Sequence, residues 1–395
     1  MPSWDVVVIG GGAAGLFCAA TAGRRGRSVL VLDHSDKIGR KILISGGGRC
    51  NFTNRQVSAE NYLSGNPHFC RSALARYTPE DFIALVERHG IAYHERDHGQ
   101  LFCNGSAKEI VAMLLAECTN AGATVHAGCQ VGSVERRAEG FNLATSAGPV
   151  TAQRLVLATG GLSLPTIGAT DFGHRLARQF GLAVRPTAPA LVPFTLDSGL
   201  GLSSLSGIAV DARITCGPNE FRENLLFTHG GISGPAVLQI SSYWNPGEDI
   251  AVDLLPGTDA AEHLEQARAT GSQALVSTHL SELLPKRLVQ ARLADQDDLG
   301  VIGEKPAARL ERRDLTALEA AFHAWTLTPT GTEGYRKAEV TRGGIDTHGL
   351  SSQTMEARNI PGLFCIGEVV DVTGWLGGYN FHWAWASGNA AGLAV

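Results

Sequence analysis

The sequence lacks the features that staple, export or anchor a chain. Its eight cysteines, at positions 18, 50, 70, 103, 118, 129, 216 and 365, include no Cys-x-x-Cys and no paired spacing. That argues against a thiolate zinc site and a disulfide framework, so no metal is expected and the thiols are read as reduced in a cytoplasm. No basic leader precedes the strand-like Val6–Ile9, and no apolar run reaches the roughly 18 residues of a membrane span, so a cytoplasmic protein without a membrane partner is expected. Basic runs are short, Arg24-Arg25-Gly26-Arg27 and Arg312-Arg313, and the net charge is −5. On that ground no nucleic-acid partner is expected. The sequence carries no signature of an oligomeric state.

Glycine, by contrast, is abundant: 48 of 395 residues. So many flexible positions fit loops that turn sharply or approach a ligand closely. With 44% hydrophobic and 18% charged residues, the rest reads as an ordinary globular enzyme, long enough for two or three domains.

Residues 5–9 form a β-branched run, 13–23 an Ala-rich helix and 29–33 a second strand, which together make a strand–helix–strand unit. Helical patterns follow near 78–90 and 106–121, and strand patterns near 124–126, 141–145 and 154–158. The texture then changes. Residues 191–259 are β-rich and 260–329 helical, before a buried strand returns at 362–366. The predicted fold is therefore α/β: a discontinuous Rossmann-like domain over 1–190 and 330–395, interrupted by an inserted substrate or cap domain over 191–329.

Gly10-Gly11-Gly12-Ala13-Ala14-Gly15 satisfies G-x-G-x-x-G between a strand and a helix. In that context Gly10 makes the tight turn, Gly12 lets backbone reach a pyrophosphate, Gly15 permits helix–strand packing, and the helix N-terminus faces the phosphate charge. Asp33 closes the second strand, where a carboxylate takes a ribose hydroxyl and disfavours a 2′-phosphate. Ser45-Gly46-Gly47-Gly48-Arg49-Cys50-Asn51 offers unobstructed backbone N–H groups and a permanent positive charge for a pyrophosphate or a flavin edge. Gly377-Gly378-Tyr379-Asn380 opens a terminal helix whose positive end suits charge developing on a reduced flavin.

The ordered set Gly39-Arg40-Lys41, Thr159-Gly160-Gly161 and Gly367-Glu368 resembles the motifs of two-dinucleotide-binding flavoproteins, which implies FAD as cofactor and ribityl contacts at Glu368. Three longer phrases, Gly39–Asn54, Leu226–Ala236 and Gly367–Asn380, resemble the bacterial YhiN-type family of NAD(P)/FAD-dependent oxidoreductases, related to aminoacetone oxidases and BaiN-type flavoproteins. That resemblance implies an inserted β-barrel and helical region; His382 stands where Gln is expected. No second G-x-G-x-x-G follows a strand, so NAD(P)H is expected only as a transient electron donor.

For catalysis, hydride exchange belongs to flavin N5, and the protein supplies orientation and a proton. His229 is the candidate acid or base, weighed against an ordinary loop histidine. Cys50 lacks a close second Cys for disulfide exchange, and Trp375 and Tyr379 are read as stacking or packing aromatics. The leading function is FAD-dependent, NAD(P)H-driven reduction of a small conjugated or carbonyl substrate. The alternatives are an O₂-using amine oxidase and an RNA-associated flavoprotein.

Overall fold

Val6, Val7 and Val8 expose no surface in the computed structural model, which describes residues 2–295 and 297–395. A strand apolar on both faces belongs inside a parallel sheet, and Ser3–Ile9 (β1) lies there. Ala13–Arg24 (α1) and Val29–Leu32 (β2) follow it, and β2 pairs parallel to β1. Thr124–His126 (β3) pairs with β2, Val150–Leu157 (β4) with β1, and Leu363–Cys365 (β5) with β4, all in parallel. The spatial order β3-β2-β1-β4-β5 is the Rossmann arrangement, assembled from both ends of the chain. An antiparallel pair, Val131–Arg137 and Gly140–Thr145, extends the sheet beside β4.

The last helix, Tyr379–Gly392 (α2), packs along α1. A Cβ at Gly388 would stand 2.7 Å from the Ala14 carbonyl, and one at Gly392 2.6 Å from Thr21 Cβ. Glycine at both positions, facing the small residues of α1, is what lets the two backbones approach so closely. On its other side α2 sends Trp385 into an aromatic core. The Trp385 ring stacks on Phe82 at 4.4 Å and its Nε1 donates to the Phe52 carbonyl at 2.8 Å.

The chain divides into two units, one of 1–189 with 339–395 and one of 190–338. The second boundary falls later than 329/330 because Gly331–Thr332 pairs with Phe194–Thr195 in the inserted unit. That unit holds a seven-stranded sheet whose edge strands are Trp325–Leu327 and Gly331–Thr332. Only residues 328–330 join those edges, so the sheet must curl upon itself. Among the described residues five α-helices between Ala260 and His323 cover its separate core, which includes Phe227, Val252, Leu280 and Phe322. Among the described residues no helix is long and apolar enough to cross a membrane.

Candidate functional site: a dinucleotide cradle

In the first unit the glycine turn folds as its spacing predicts. A Cβ at Gly15 would overlap the Gly10 carbonyl oxygen and lie 3.2 Å from Ala158 Cβ, so helix and strand ends meet there. At Gly12 a Cβ would meet nothing within 4 Å. Gly12 caps α1 with no side-chain hydrogen bond, and the first turn, which includes Ala13 and Ala14, carries no acidic residue. Four N-terminal N–H groups of a helix have no intrahelical acceptor, so this end suits an anion.

Asp33 is fixed toward the turn. Its Oδ2 accepts from Gly11 N at 2.7 Å and its Oδ1 from Ser35 N at 2.8 Å, which holds the carboxylate at the end of β2. Beside the turn, the Thr159 hydroxyl is buried without a hydrogen-bond partner. A buried orphan of this kind needs a partner from outside the chain. The uncapped helix end, the open space at Gly12 and this hydroxyl together fit a phosphorylated dinucleotide.

The separate motifs Gly39–Lys41, Thr159–Gly161 and Gly367–Glu368 converge on one polar cluster. Lys41 Nζ donates to Glu368 Oε2 at 2.6 Å and to Ser163 Oγ at 2.7 Å. Glu368 Oε1 accepts from Thr341 N at 2.9 Å and from Ser163 Oγ at 3.1 Å. A Cβ at Gly161 would lie 2.7 Å from Glu368 Oε1, so glycine there lets the carboxylate approach. Glu368 is thus tied to protein groups on both oxygens. Its turn is braced by buried His174, whose Nε2 lies 3.2 Å from the Val369 carbonyl and whose pKa burial lowers.

Sequence reasoning missed Ser163, Thr341 and His174. Ser163 stands two positions beyond Gly161, and Thr341 precedes the Gly343-Gly344 pair, so glycine doublets were the available signal.

The loop Ser45–Cys50 runs left-handed at Gly46, Gly47 and Gly48, and also at Cys50 (φ 47°). Two of its N–H groups are already used: Arg49 N donates to the Gly46 carbonyl and Cys50 N to that of Ser45. Arg49 is exposed. Cys50 is fully buried and desolvation pushes its thiol pKa up, which suits packing and opposes thiolate chemistry. Arg40 turns back to Ser35 Oγ at 3.5 Å, and Gly39 starts its helix from a left-handed φ of 70°.

At the start of α2, Asn380 closes a turn. Its Nδ2 donates to the Gly374 and Trp375 carbonyls and its Oδ1 accepts from Gly374 N at 2.8 Å. The Asn380 amide is therefore occupied locally. Asn51 lies by Gly378, where a Cβ would stand 2.9 Å from the Asn51 side-chain amide. Tyr379 is buried edge-on to Tyr62 and to Trp375, as packing aromatics are. His382 is fully buried: Nδ1 lies 2.9 Å from Thr53 Oγ1 and Nε2 3.1 Å from the Tyr77 carbonyl. Because a carbonyl only accepts, Nε2 carries the proton and Nδ1 accepts from Thr53. His229 stands apart from this cradle in the chain, on an exposed loop of the inserted unit between the strands Asn219–Phe227 and Gly231–Ser233.

A family model described as the HI0933-like protein Rossmann domain matches residues 4–394. The ribosomal RNA dihydrouridine synthase of Escherichia coli K12 is 55% identical over 391 residues, covering 98% of this chain and 96% of that protein. The protein of the same name from Haemophilus influenzae is 49% identical over 396 residues, covering 98% of both. A 3-dehydro-bile acid delta(4,6)-reductase of Clostridium scindens is 31% identical over 417 residues, again covering 98% of both.

These names overturn the expectation of no nucleic-acid partner. A net charge of −5 is a sum over the whole chain, whereas an RNA contact needs only a few well-placed cations and a pocket for a base. Overall acidity therefore excluded too much. With the family model spanning nearly every residue and relatives matched along almost their whole length, the chain belongs to the HI0933-like Rossmann family and is an FAD-dependent oxidoreductase.

Proposed function

We propose that this chain reduces uridine in ribosomal RNA to dihydrouridine, with NAD(P)H as the electron source. The observation that carries the reading is 55% identity over 98% of the chain to an enzyme named for that reaction. The bile-acid enzyme at 31% identity supports the same chemical class. Uracil C5=C6 is conjugated to a carbonyl, as is the double bond of a 3-oxo-Δ4 steroid, so in both cases hydride adds to the carbon remote from the carbonyl and a proton to the adjacent one.

Bound FAD supplies the hydride relay from nicotinamide to C6 of the base, leaving NAD(P)⁺. The protein's own groups do the rest. The Gly10–Gly15 turn and the start of α1 hold the pyrophosphate, and Asp33 takes a ribose hydroxyl. Lys41 and Glu368, already locked to each other and to Ser163 and Thr341, present a polar rim for the ribityl chain and flavin. The Ser45–Asn51 loop and the Gly377–Asn380 turn line the remaining edge. We assign the proton delivered to C5 to His229, since an imidazole can serve as a general acid.

The test incubates ribosomal RNA from a strain lacking this gene with purified protein and NADH or NADPH, then measures dihydrouridine by mass spectrometry of nucleosides. Nucleotide-dependent dihydrouridine is expected. Its absence under both nucleotides, with FAD retained, overturns the reading.

A further inference from the structure

Two histidines and one glutamate of the inserted unit converge in a way that hydrogen bonding does not explain. His263 lies on the helix Ala260–Ala269, and His279 and Glu282 share a face of the helix Val276–Leu283. His263 Nε2 is buried without a hydrogen-bond partner and stands 3.3 Å from Glu282 Oε2. His279 Nδ1 faces the other oxygen, Oε1, at 3.6 Å, beyond hydrogen-bond length. One ligand atom from each residue lies within 4.8 Å of the others.

With Zn–N and Zn–O near 2.0–2.1 Å, neighbouring ligand atoms of a tetrahedral zinc ion stand about 3.3 Å apart. The two nitrogen–oxygen separations, 3.3 Å to Oε2 and 3.6 Å to Oε1 of the same carboxylate, are close to that figure, so a small rotation of Glu282 brings one oxygen to ligand spacing from both imidazoles. The far side of the second imidazole is also prepared: His279 Nε2 lies 2.9 Å from Ser272 Oγ. A metal on Nδ1 makes Nε2–H the donor to that hydroxyl, the outer hydrogen bond that orients a ligating histidine. Two imidazoles and one carboxylate suit zinc better than magnesium or calcium, which favour all-oxygen shells. The half-exposed Glu282 leaves room for water as fourth ligand.

We propose that His263, His279 and Glu282 bind one zinc ion that clamps the two helices together. The cysteine pattern excluded a thiolate site only, and these three residues are distant from the dinucleotide motifs in sequence. The clamp is independent of the RNA reading.

The test titrates chelator-stripped full-length protein with zinc chloride by calorimetry, alongside H279A and E282Q. Glu282 is largely exposed, so E282Q keeps the fold, and circular dichroism checks both variants. One saturable site is expected, weakened at least about tenfold in each variant, with a zinc-dependent rise in Tm that both variants lose. Absence of a saturable site, or affinity within about tenfold of the unsubstituted protein in either variant, overturns the assignment.

Discussion

Lys41 Nζ and Glu368 Oε2 meet at 2.6 Å although 327 positions separate them in the chain. The contact joins the segment after β2 to the segment after β5, and Ser163, from the segment after β4, bonds to both partners. Three segments that leave strands of one sheet thus share one polar knot at the ends of those strands, where ligands of such sheets bind.

Removing the charge from this knot should cost little stability and more cofactor. Glu368→Gln keeps an acceptor for Thr341 N and loses the ion pair, so a loss of about 1 kcal/mol is expected, discounted because Lys41 is one-third exposed. Urea unfolding measures it, and flavin absorbance after gel filtration should fall. Full flavin retention would remove Glu368 from the proposed ribityl contact.

Two glycines of one motif should fail differently. Gly12→Val meets open space, so Tm of the cofactor-free protein should hold while the purified protein turns from yellow to nearly colourless. Gly15→Val drives a side chain into the Gly10 carbonyl, so it should lower stability by several kcal/mol, since overpacking costs about 1–3 and backbone must also move. Retained FAD in Gly12→Val would displace the pyrophosphate from this turn.

Stability should fall between pH 6.5 and about 4 through His382. Burial lowers its pKa from 6.5 to about 4. Above pH 6.5 neither state holds the extra proton and the full stability is present. Below it the unfolded chain takes up a proton that the native ring refuses, until about pH 4. The loss approaches about 3 kcal/mol. His382→Gln, which can serve both Thr53 and the Tyr77 carbonyl, should flatten this window in unfolding curves taken across pH. An unchanged slope would assign the decline to other groups.

His229→Ala should lower kcat for dihydrouridine formation by about 10²–10⁴ if the imidazole supplies the proton. Reduction of the bound flavin by NAD(P)H, followed by stopped-flow absorbance, should be unaffected. Equal kcat in the variant would leave the proton to water or another side chain.

The sheet and its glycine turn were legible because their signals are local: Val6–Ile9 is continuously apolar, and Gly10, Gly12 and Gly15 sit between strand and helix. Helices such as Ala107–Asn120 announced themselves by their helical pattern. The knot was half legible. Glu368 and Lys41 stand in recognisable phrases, but Ser163 and Thr341 act through one hydroxyl and one backbone N–H, which no pattern marks. The strand Asn219–Phe227 escaped because its first six residues alternate partly buried and exposed positions and are all polar except Phe221, which masks its strand character. The partner was misjudged for another reason: a base-recognising pocket leaves no imprint on net charge.

The apposition of Gly388 and Gly392 with α1 bears on how the protein is made. As the chain leaves the ribosome, β1, α1 and β2 emerge well before the strand and helix that complete their layers, Leu363–Cys365 and Tyr379–Gly392. The intervening residues 190–338 have a core of their own and can fold during that wait. Glu368, too, reaches the knot only then. A polypeptide that stopped short of Glu368 would thus carry the insert and the glycine turn but not the carboxylate on which Lys41, Ser163 and Thr341 converge.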